Sequence, residues 1–356
     1  MIFYIFDTNL KRIKTIDTYV NAIWTTRYND AGDFQIKLPF APYDTNYIKE
    51  FYFIQKEDNK QSVGIIENIQ PQDTITNGTF ITISGRFASC LFEWRANIKY
   101  ALYTNLKLDA IVNNLYVFNF TEGDRELPQL KYVRTSNFDG KITSLEDTGT
   151  NCFELIKTCF KTLKMGFREK IQNIDGSNKI VFEMYEGKDR SRGQKGTIKN
   201  SFVIFSDDFD NITNPTFKIS FESFNNVCYV GVKEDANKLT VKKEVVVGSG
   251  KGIYRKEKYV FGNDQTNEMT PEEWETTLKE LATENIQEIT QEFNGEVIPE
   301  IKYKFKKDFD AGDIVTVENK KMGVSVNVRI YEVIESYTKE NYKMVLTFGN
   351  EANEND

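Results

Sequence analysis

Two short segments near opposite ends of the chain share a pattern that dictates how each must fold. The first is Trp24-Thr-Thr-Arg27-Tyr28-Asn-Asp-Ala31-Gly32-Asp33-Phe34-Gln-Ile36-Lys-Leu38-Pro39. The second is Phe309-Asp-Ala311-Gly312-Asp313-Ile314-Val-Thr-Val317. Each reads as a tight Ala-Gly-Asp turn that launches a β-strand. In the first strand Phe34, Ile36 and Leu38 alternate with Gln35 and Lys37, so one face is buried and the other wet. The pairing implies a small β-barrel at each end, with Gly32, Asp33, Gly312 and Asp313 as fold residues. That organisation suits a scaffold better than a catalyst.

At 356 residues the chain exceeds one ordinary core and implies two to four domains. Its 27 Phe and 18 Tyr fit the half-buried faces of sheets, so the fold class is α+β, mainly β. A net charge of −7 argues against a general grip on nucleic acid, which needs a basic footprint. The chain contains no His, which excludes Ser-His-Asp and Cys-His catalysis and His-ligated metals. Cys90, Cys152, Cys159 and Cys228 form no C-x2-C pair, so zinc is not expected and buried thiols are. Met1 leads directly into a strand with no secretory pattern. No run reaches the roughly 20 apolar residues of a membrane span, so synthesis in the cytosol and no stable membrane insertion are expected.

Period-2 runs mark strands over residues 2–6, 12–19, 34–38, 47–55, 62–69 and 79–84, with a hairpin turn at Asn77-Gly78. Six short strands in so few residues suggest a sandwich or barrel over 1–98. Apolar residues at helical spacing follow at Phe87, Leu91 and Trp94 and over 106–115. Asn151 to Leu163 reads as a helix with Thr150 as a possible cap. These define a mixed α+β domain over 99–208. Its polar segment Glu186 to Lys195 reads as a mobile loop. A second α+β domain spans 209–300. In it, Val241 to Val247 and Gly252 to Val260 look like a hairpin that could belong to the last barrel. Thr270, Pro271 and Glu273 begin the surest helix with a capping box, expected to run over 271–293 and to stop at Gly295. Val324 to Ile330 and Tyr342 to Phe348 alternate again and give a C-terminal barrel over 301–350. Residues 351–356 are an acidic tail, expected to fray.

No constellation meets the requirements of catalysis. Gly248-Ser-Gly-Lys-Gly252 has no Ser or Thr after Lys251 and continues as a strand, so it is a hairpin tip and not a phosphate loop. The acids of Ser206 to Asn211 lack the spacing and closing Glu of a calcium loop and read as a turn. Asn119-Phe-Thr121 matches a glycosylation sequon without a secretory context. Arg86, Arg95 and Arg190 read as ion-pair residues at the surface or between subunits. No catalytic, cofactor-binding or metal-binding residue is assigned.

The ordered motifs resemble the tail-hub proteins of long-tailed phages, the N-terminal part of tail-associated lysins. The resemblance runs from Trp24, Arg27-Tyr28 and Gly32-Asp33-Phe34 with Leu38-Pro39, through Gly85-Arg86 and Trp94-Arg95. It continues through Asn151, Glu154-Leu155, Met165-Gly166-Phe167, Tyr185 and Asp189-Arg190-Ser191. Val203 to Ser206 with Asn211-Ile212 follow. Asp308-Phe309, Gly312-Asp313, Val317, Arg329-Ile330 and Thr347-Phe348-Gly349 complete it. The resemblance implies a tail-hub fold with two small β-barrel domains and two mixed α+β domains. It implies a homotrimer whose six barrels match the hexameric distal tail protein.

Further implied partners are the tape-measure protein and receptor-binding or tip proteins, with DNA only in transit. The implied place is the virion tail tip, assembled in the host bacterial cytoplasm. The chain is therefore expected to be a baseplate hub that closes and opens the tail channel, without cofactor or enzymatic activity. The peptidase or glycosidase module of lytic members is expected to be absent. A cell-wall hydrolase using two carboxylates and a carbohydrate-binding tail protein are the alternatives.

Overall fold

The computed structural model describes residues 1–40, 44, 46–74, 78–134, 138–195, 197, 199–235, 240–266, 269–298 and 302–350. Asn77 of the expected turn and the tail at 351–356 lie outside them.

The N-terminal part contains β1 (Phe3–Phe6), β2 (Arg12–Ile16), β3 (Asn21–Arg27), β4 (Asp33–Pro39), β5 (Phe53–Lys56), β6 (Asn59–Ile65), β7 (Asn68–Thr74) and β8 (Gly78–Arg86). A 3-10 helix at Ala88–Trp94 follows. The middle holds β9 (Ala101–Lys107), α1 (Leu108–Phe120), β10 (Leu130–Tyr132), β11 (Lys141–Asp147), α2 (Cys152–Thr162), β12 (Gly166–Ile174) and β13 (Ser177–Tyr185). Then come β14 (Ile204–Ser206), β15 (Ile212–Ser220), β16 (Val227–Lys233), β17 (Val241–Gly248), β18 (Glu257–Phe261) and α3 (Pro271–Glu284). The chain ends with β19 (Thr290–Val297), β20 (Ile314–Asn319), β21 (Val324–Thr338) and β22 (Tyr342–Asn350). The fold is mainly β, as the aromatic composition implies.

The largest sheet runs β15-β19-β22-β21-β3-β4-β8-β7, with β20 also on β21 and β14 on β20. It divides at the β21–β3 junction into two antiparallel arrays with one connection pattern. In each, the first strand pairs with the second: β3 with β4, and β15 with β19. The fourth strand joins the second: β8 to β4, and β22 to β19. The third flanks the fourth on the far side: β7 on β8, and β21 on β22. The chain therefore builds one four-strand array twice and sets the copies head to tail in a continuous sheet. In place of two separate closed barrels, the ladders of the described residues join both ends in one open sheet.

The two Ala-Gly-Asp turns do not mark this repeat. Ala31-Gly32-Asp33 opens β4, the second strand of its array. Ala311-Gly312-Asp313 opens β20, which stands outside the array on β21 and β14. The duplication lies in strand connectivity, which three matching letters do not encode.

Each array has its own core. A sheet ordered β2-β1-β5-β6 covers the first. Phe3, Ile5 and Ile54 pack with Trp24, Phe34, Ile36 and Ile83. Trp24 is fully buried, 4.9 Å from Phe87 and 5.7 Å from Phe34 between ring centroids. The second core gathers Phe205, Phe293, Phe309, Val315, Ile330 and Phe348. In the middle, α1 and α2 share a core with β10-β13-β12.

Several local expectations are corrected. The α2 cap is Asn151, whose side chain accepts from the Glu154 amide, and not Thr150. Phe53–Lys56 is the only strand between 47 and 55 among the described residues there, because Phe51 turns the chain at φ +63°. Thr270, Pro271 and Glu273 do form the capping box. The helix stops at Glu284, however, and Thr290–Val297 is a strand. Asn225 accounts for the break. Its side chain donates to the Asn285 carbonyl at 3.2 Å and accepts from the Gln287 amide at 3.1 Å. That side-chain competition outweighs the helical spacing of Ile286, Ile289 and Phe293. β17 and β18 are not a hairpin: both pair with β16, antiparallel and parallel respectively, and neither joins the C-terminal array. Residues 186–195, expected to be mobile, are tied down as described next.

Candidate functional site: the junction of the two arrays

The junction begins with the β21–β3 ladder, which pairs Arg27 with Glu332 and Asn21 with Thr338. Arg27 bonds Glu332 at 2.7 Å and Asp33 at 2.6 Å, so the first Ala-Gly-Asp turn is clamped to the opposite array. Just beyond the ladder, Tyr28 is fully buried. Its amide donates to the Tyr331 carbonyl at 2.9 Å. Its phenol donates to the Lys164 carbonyl at 3.1 Å and accepts from the Gly187 amide at 3.1 Å. Arg329 lies across the ring, 5.2 Å from its centroid, and donates to the Gly312 carbonyl at 2.6 Å.

Glycines shape this cage. A Cβ on Gly166 would stand 2.1 Å from the Tyr28 ring, and one on Gly312 would stand 2.2 Å from it. Gly312 also has φ +94°, the region where a side chain is strained. The ring thus holds three chain segments at once: the end of β3, the start of β12 and the second Ala-Gly-Asp turn.

Asp313 organises the other side. It is 3% exposed. Its carboxylate accepts from the Lys188 amide at 2.7 Å, the Arg190 guanidinium at 2.7 Å and the Asp310 amide at 3.0 Å. The Arg192 amide donates to Thr316 at 2.9 Å, and the Arg190 amide to the Ile314 carbonyl at 2.7 Å. The polar segment 186–195 is therefore bound along β20, with Ser191 and Gln194 buried. Arg190 is an internal ion-pair residue. Ser191 and Gln194 are satisfied locally, Ser191 accepting from the Gly193 amide and Gln194 exchanging bonds with the Asn200 backbone, while the bonds to Asp313, Ile314 and Thr316 hold the segment from long range.

A second buried pair links the small sheet to β21. Lys56 bonds Glu335 and donates to the Tyr337 phenol at 2.9 Å. Tyr342 also donates to Glu335, at 2.9 Å. Burial, with the Glu335 charge beside them, holds both phenols above the ordinary tyrosine range. Near the junction Glu169 is 3% exposed, and burial pushes its carboxyl up to about 8 against the Val63 backbone hydrogen bond and the Lys306 charge. Desolvation of this kind disfavours the charged form. Neither group carried a sequence signal, because the neighbours that bury them are remote in the chain.

The other singled-out residues have local structural partners. Arg86 makes a forked pair with Glu67, at 2.8 and 3.0 Å, and reaches Glu93 at 2.6 Å. Arg95 donates to the Arg125 carbonyl. Asn119 is buried and donates to the Leu115 carbonyl, which hides the sequon. Residues Asp207–Phe209 form a 3-10 turn closed by Asn211, which accepts from the Ser206 amide at 2.8 Å. All four cysteines are buried, and desolvation pushes Cys152 and Cys159 up to about 12. Such thiols are not nucleophiles at neutral pH. The Gly248–Gly252 segment is an exposed turn between β17 and β18. Chemically, the junction fixes geometry: the Tyr28, Arg190 and Asp313 side chains bond to other parts of the chain.

The family model described as "Siphovirus ReqiPepy6 Gp37-like protein" matches residues 2–350. The chain belongs to this family. None of the curated proteins matches it. The fold is that of phage tail proteins. The tail protein from Neisseria meningitidis MC58 aligns with TM-score 0.63 at 9% identity, over 98% of this chain and 97% of that one. The 43 kDa tail protein of prophage MuSo2 from Shewanella oneidensis gives 0.58 at 12% identity, over 98% of both chains. Prophage tail protein gp18 from Listeria monocytogenes EGD-e gives 0.57 at 13% identity, over 99% of this chain and 95% of that one. Family and fold together mark this Gp37-like chain as a phage or prophage tail protein.

Proposed function

We propose that the chain is a structural hub of the tail tip: a homotrimeric adaptor between the sixfold tail, through the distal tail protein, and a threefold tip. The observation that carries this reading is the repeated array. Because β3 corresponds to β15 and β21 to β7, the β21–β3 seam within one chain has a counterpart between chains, β7 against β15. Both are end strands of the described sheet. A head-to-tail contact that closes on itself makes a ring. Three chains with two arrays each would then present six similar units.

The locked junction supports the rigidity such a ring needs. The edges are suited to limited pairing: Pro71 lies within β7, and Pro215 falls where β15 shifts register, and proline at edges discourages open-ended strand addition. In this reading the middle modules close the channel and part to release the tape-measure protein and DNA. The chain itself has no catalytic role.

Electron cryo-microscopy of assembled tails tests the reading. A trimer with β7 and β15 of successive copies in register is expected. A different copy number at the tip, or arrays that never meet, would overturn it. Zymography on peptidoglycan with the purified chain should show no clearing.

A further inference from the structure

Residues 221–289 form a module inserted between β15 and β19. Its strands are ordered β17-β16-β18, and α3 covers one face through a core of Cys228, Val230, Val245, Leu278 and Ala282. Alternation along β16 sends Tyr229, Gly231 and Lys233 to the other face. The register sets Tyr229 between Val246 and Tyr259, and Gly231 between Glu244 and Phe261.

Three aromatic rings make this open face. The ring planes of Tyr229 and Tyr259 are 12° apart, with centroids 6.2 Å apart. Phe261 stands 5.5 Å from Tyr259. Gly231 lets the Tyr259 ring lie down on the sheet. A Cβ there would stand 2.0 Å from the phenol oxygen and 2.8 Å from the carbon that bears it. The ring thus crosses β16, and its hydroxyl donates to Glu244 of β17 at 3.1 Å. Its outer side meets solvent: Tyr259 is 45% exposed, and Val246 and Phe261 are more than half exposed. Polar groups rim the rings. The Arg255 guanidinium donates to the Tyr229 phenol at 2.8 Å, and the Lys233 ammonium lies 4.7 Å from the Phe261 centroid.

Size and charge select the occupant. Three strands about 4.8 Å apart, each with five residues rising about 3.3 Å, give a face of about 240 Å². A stable protein interface takes about 800 Å² from each side, so this face is too small for one. Its charges also cancel: Lys233, Lys242 and Arg255 stand against Glu244, Glu257 and Asp264. Lys242 pairs with Asp264, and Arg255 with Glu257. Nucleic acid and anionic lipid call for a basic excess. A neutral pyranose meets both conditions. One side of the sugar is a flat patch of C–H groups that stacks on an aromatic ring, and its edge is a circle of hydroxyls that bond to charged side chains.

We propose that this face binds a short neutral oligosaccharide, with sugar rings on Tyr259 and Phe261 and hydroxyls bonded to Glu244, Arg255 and Lys233. The site gives the tail protein a recognition function that does not depend on the ring.

Saturation-transfer difference NMR on the full-length chain tests the site. Cellotriose, maltotriose and chitotriose are each used at about 10 mM, where binding with Kd near 1 mM is well populated. Transfer to the sugar C–H protons is expected for at least one of them. Tyr259→Ala and Phe261→Ala should each weaken binding about tenfold, whereas Tyr259→Phe keeps the ring and should stay within about threefold. Gly231→Val should lift the Tyr259 ring and weaken binding as Tyr259→Ala does. The module core lies on the opposite face, so far-UV circular dichroism of the variants should match the parent. No transfer to any of the three sugars overturns the proposal, as does transfer that both alanine variants leave unchanged. Capture of the chain on oligothymidylate or on phosphatidylglycerol vesicles through Tyr259 and Phe261, without transfer to the sugars, assigns the face to an anionic ligand and also overturns it.

Discussion

The Tyr28 ring lies so close to Gly312 that a methyl group on the glycine would sit 2.2 Å from a ring carbon. Gly312 also holds φ +94°. Gly312→Ala should therefore lose stability by about 2–4 kcal/mol, from overpacking and backbone strain acting together. Gly78 is the control. It has φ +79° but open space around it, so Gly78→Ala should lose only about 1 kcal/mol. Urea unfolding of the two variants checks the difference.

Asp313→Asn removes the charge that holds Arg190 and weakens the bonds from the Lys188 and Asp310 amides. Breaking a buried pair on one side typically costs about 3–5 kcal/mol. The local effect should exceed the global one. Segment 186–195 should detach, and trypsin should cut after Lys188, Arg190 or Arg192 under conditions where the parent chain resists. Equal resistance in the two proteins would contradict the anchoring role.

Lys56 and Glu335 are 1% and 3% exposed at their side chains. Lys56→Met leaves a buried carboxylate beside two phenols and should destabilise by about 3–5 kcal/mol. Lys56→Met with Glu335→Leu should recover only part of that loss, because the stranded charge is gone but the Tyr337 and Tyr342 phenols lose their shared acceptor. A double-mutant cycle in guanidinium chloride measures the coupling.

The Glu169 carboxyl supplies a pH test. Burial raises it to about 8 from an ordinary 4.5. The folded chain holds this proton between those pH values while the unfolded chain has released it. The contribution to stability is full below pH 4.5 and is lost as pH rises towards 8. Glu169→Gln stays neutral throughout. The parent chain should therefore lose a few kcal/mol relative to the variant between pH 5 and pH 8. Parallel stability curves across that window would show that the carboxyl ionises freely in the fold.

Local chemistry was legible in the sequence wherever it acted over a few residues. The alternation from Phe34 to Leu38 appears as β4, with Phe34, Ile36 and Leu38 buried. Thr270 and Glu273 form the capping box that their spacing implies. The α3 stop was illegible because Asn225, which competes for the backbone there, lies 60 residues from Asn285. The segment from Glu186 to Lys195 looks mobile by composition, yet Arg190 meets Asp313 from 123 residues away. The junction combined both cases. Its glycines and aspartates stood out as turn formers, while their service to Tyr28 and Arg190 depends on the assembled fold. Strand connectivity, and not the Ala-Gly-Asp turns, carries the repeat.

The covalent linkage of the two arrays has a kinetic meaning for the proposed ring. The β21–β3 seam forms while a single chain folds, at a rate independent of concentration. Only the β7–β15 seams wait for an encounter, so half of the joints are complete before any two molecules meet. Each encounter between chains carries the entropy loss of association, and a fused pair lowers how often that loss is met. Six separate single-array chains would need five encounters to close the same circle, where three fused pairs need two. They would also leave more partial circles stranded with open strand edges.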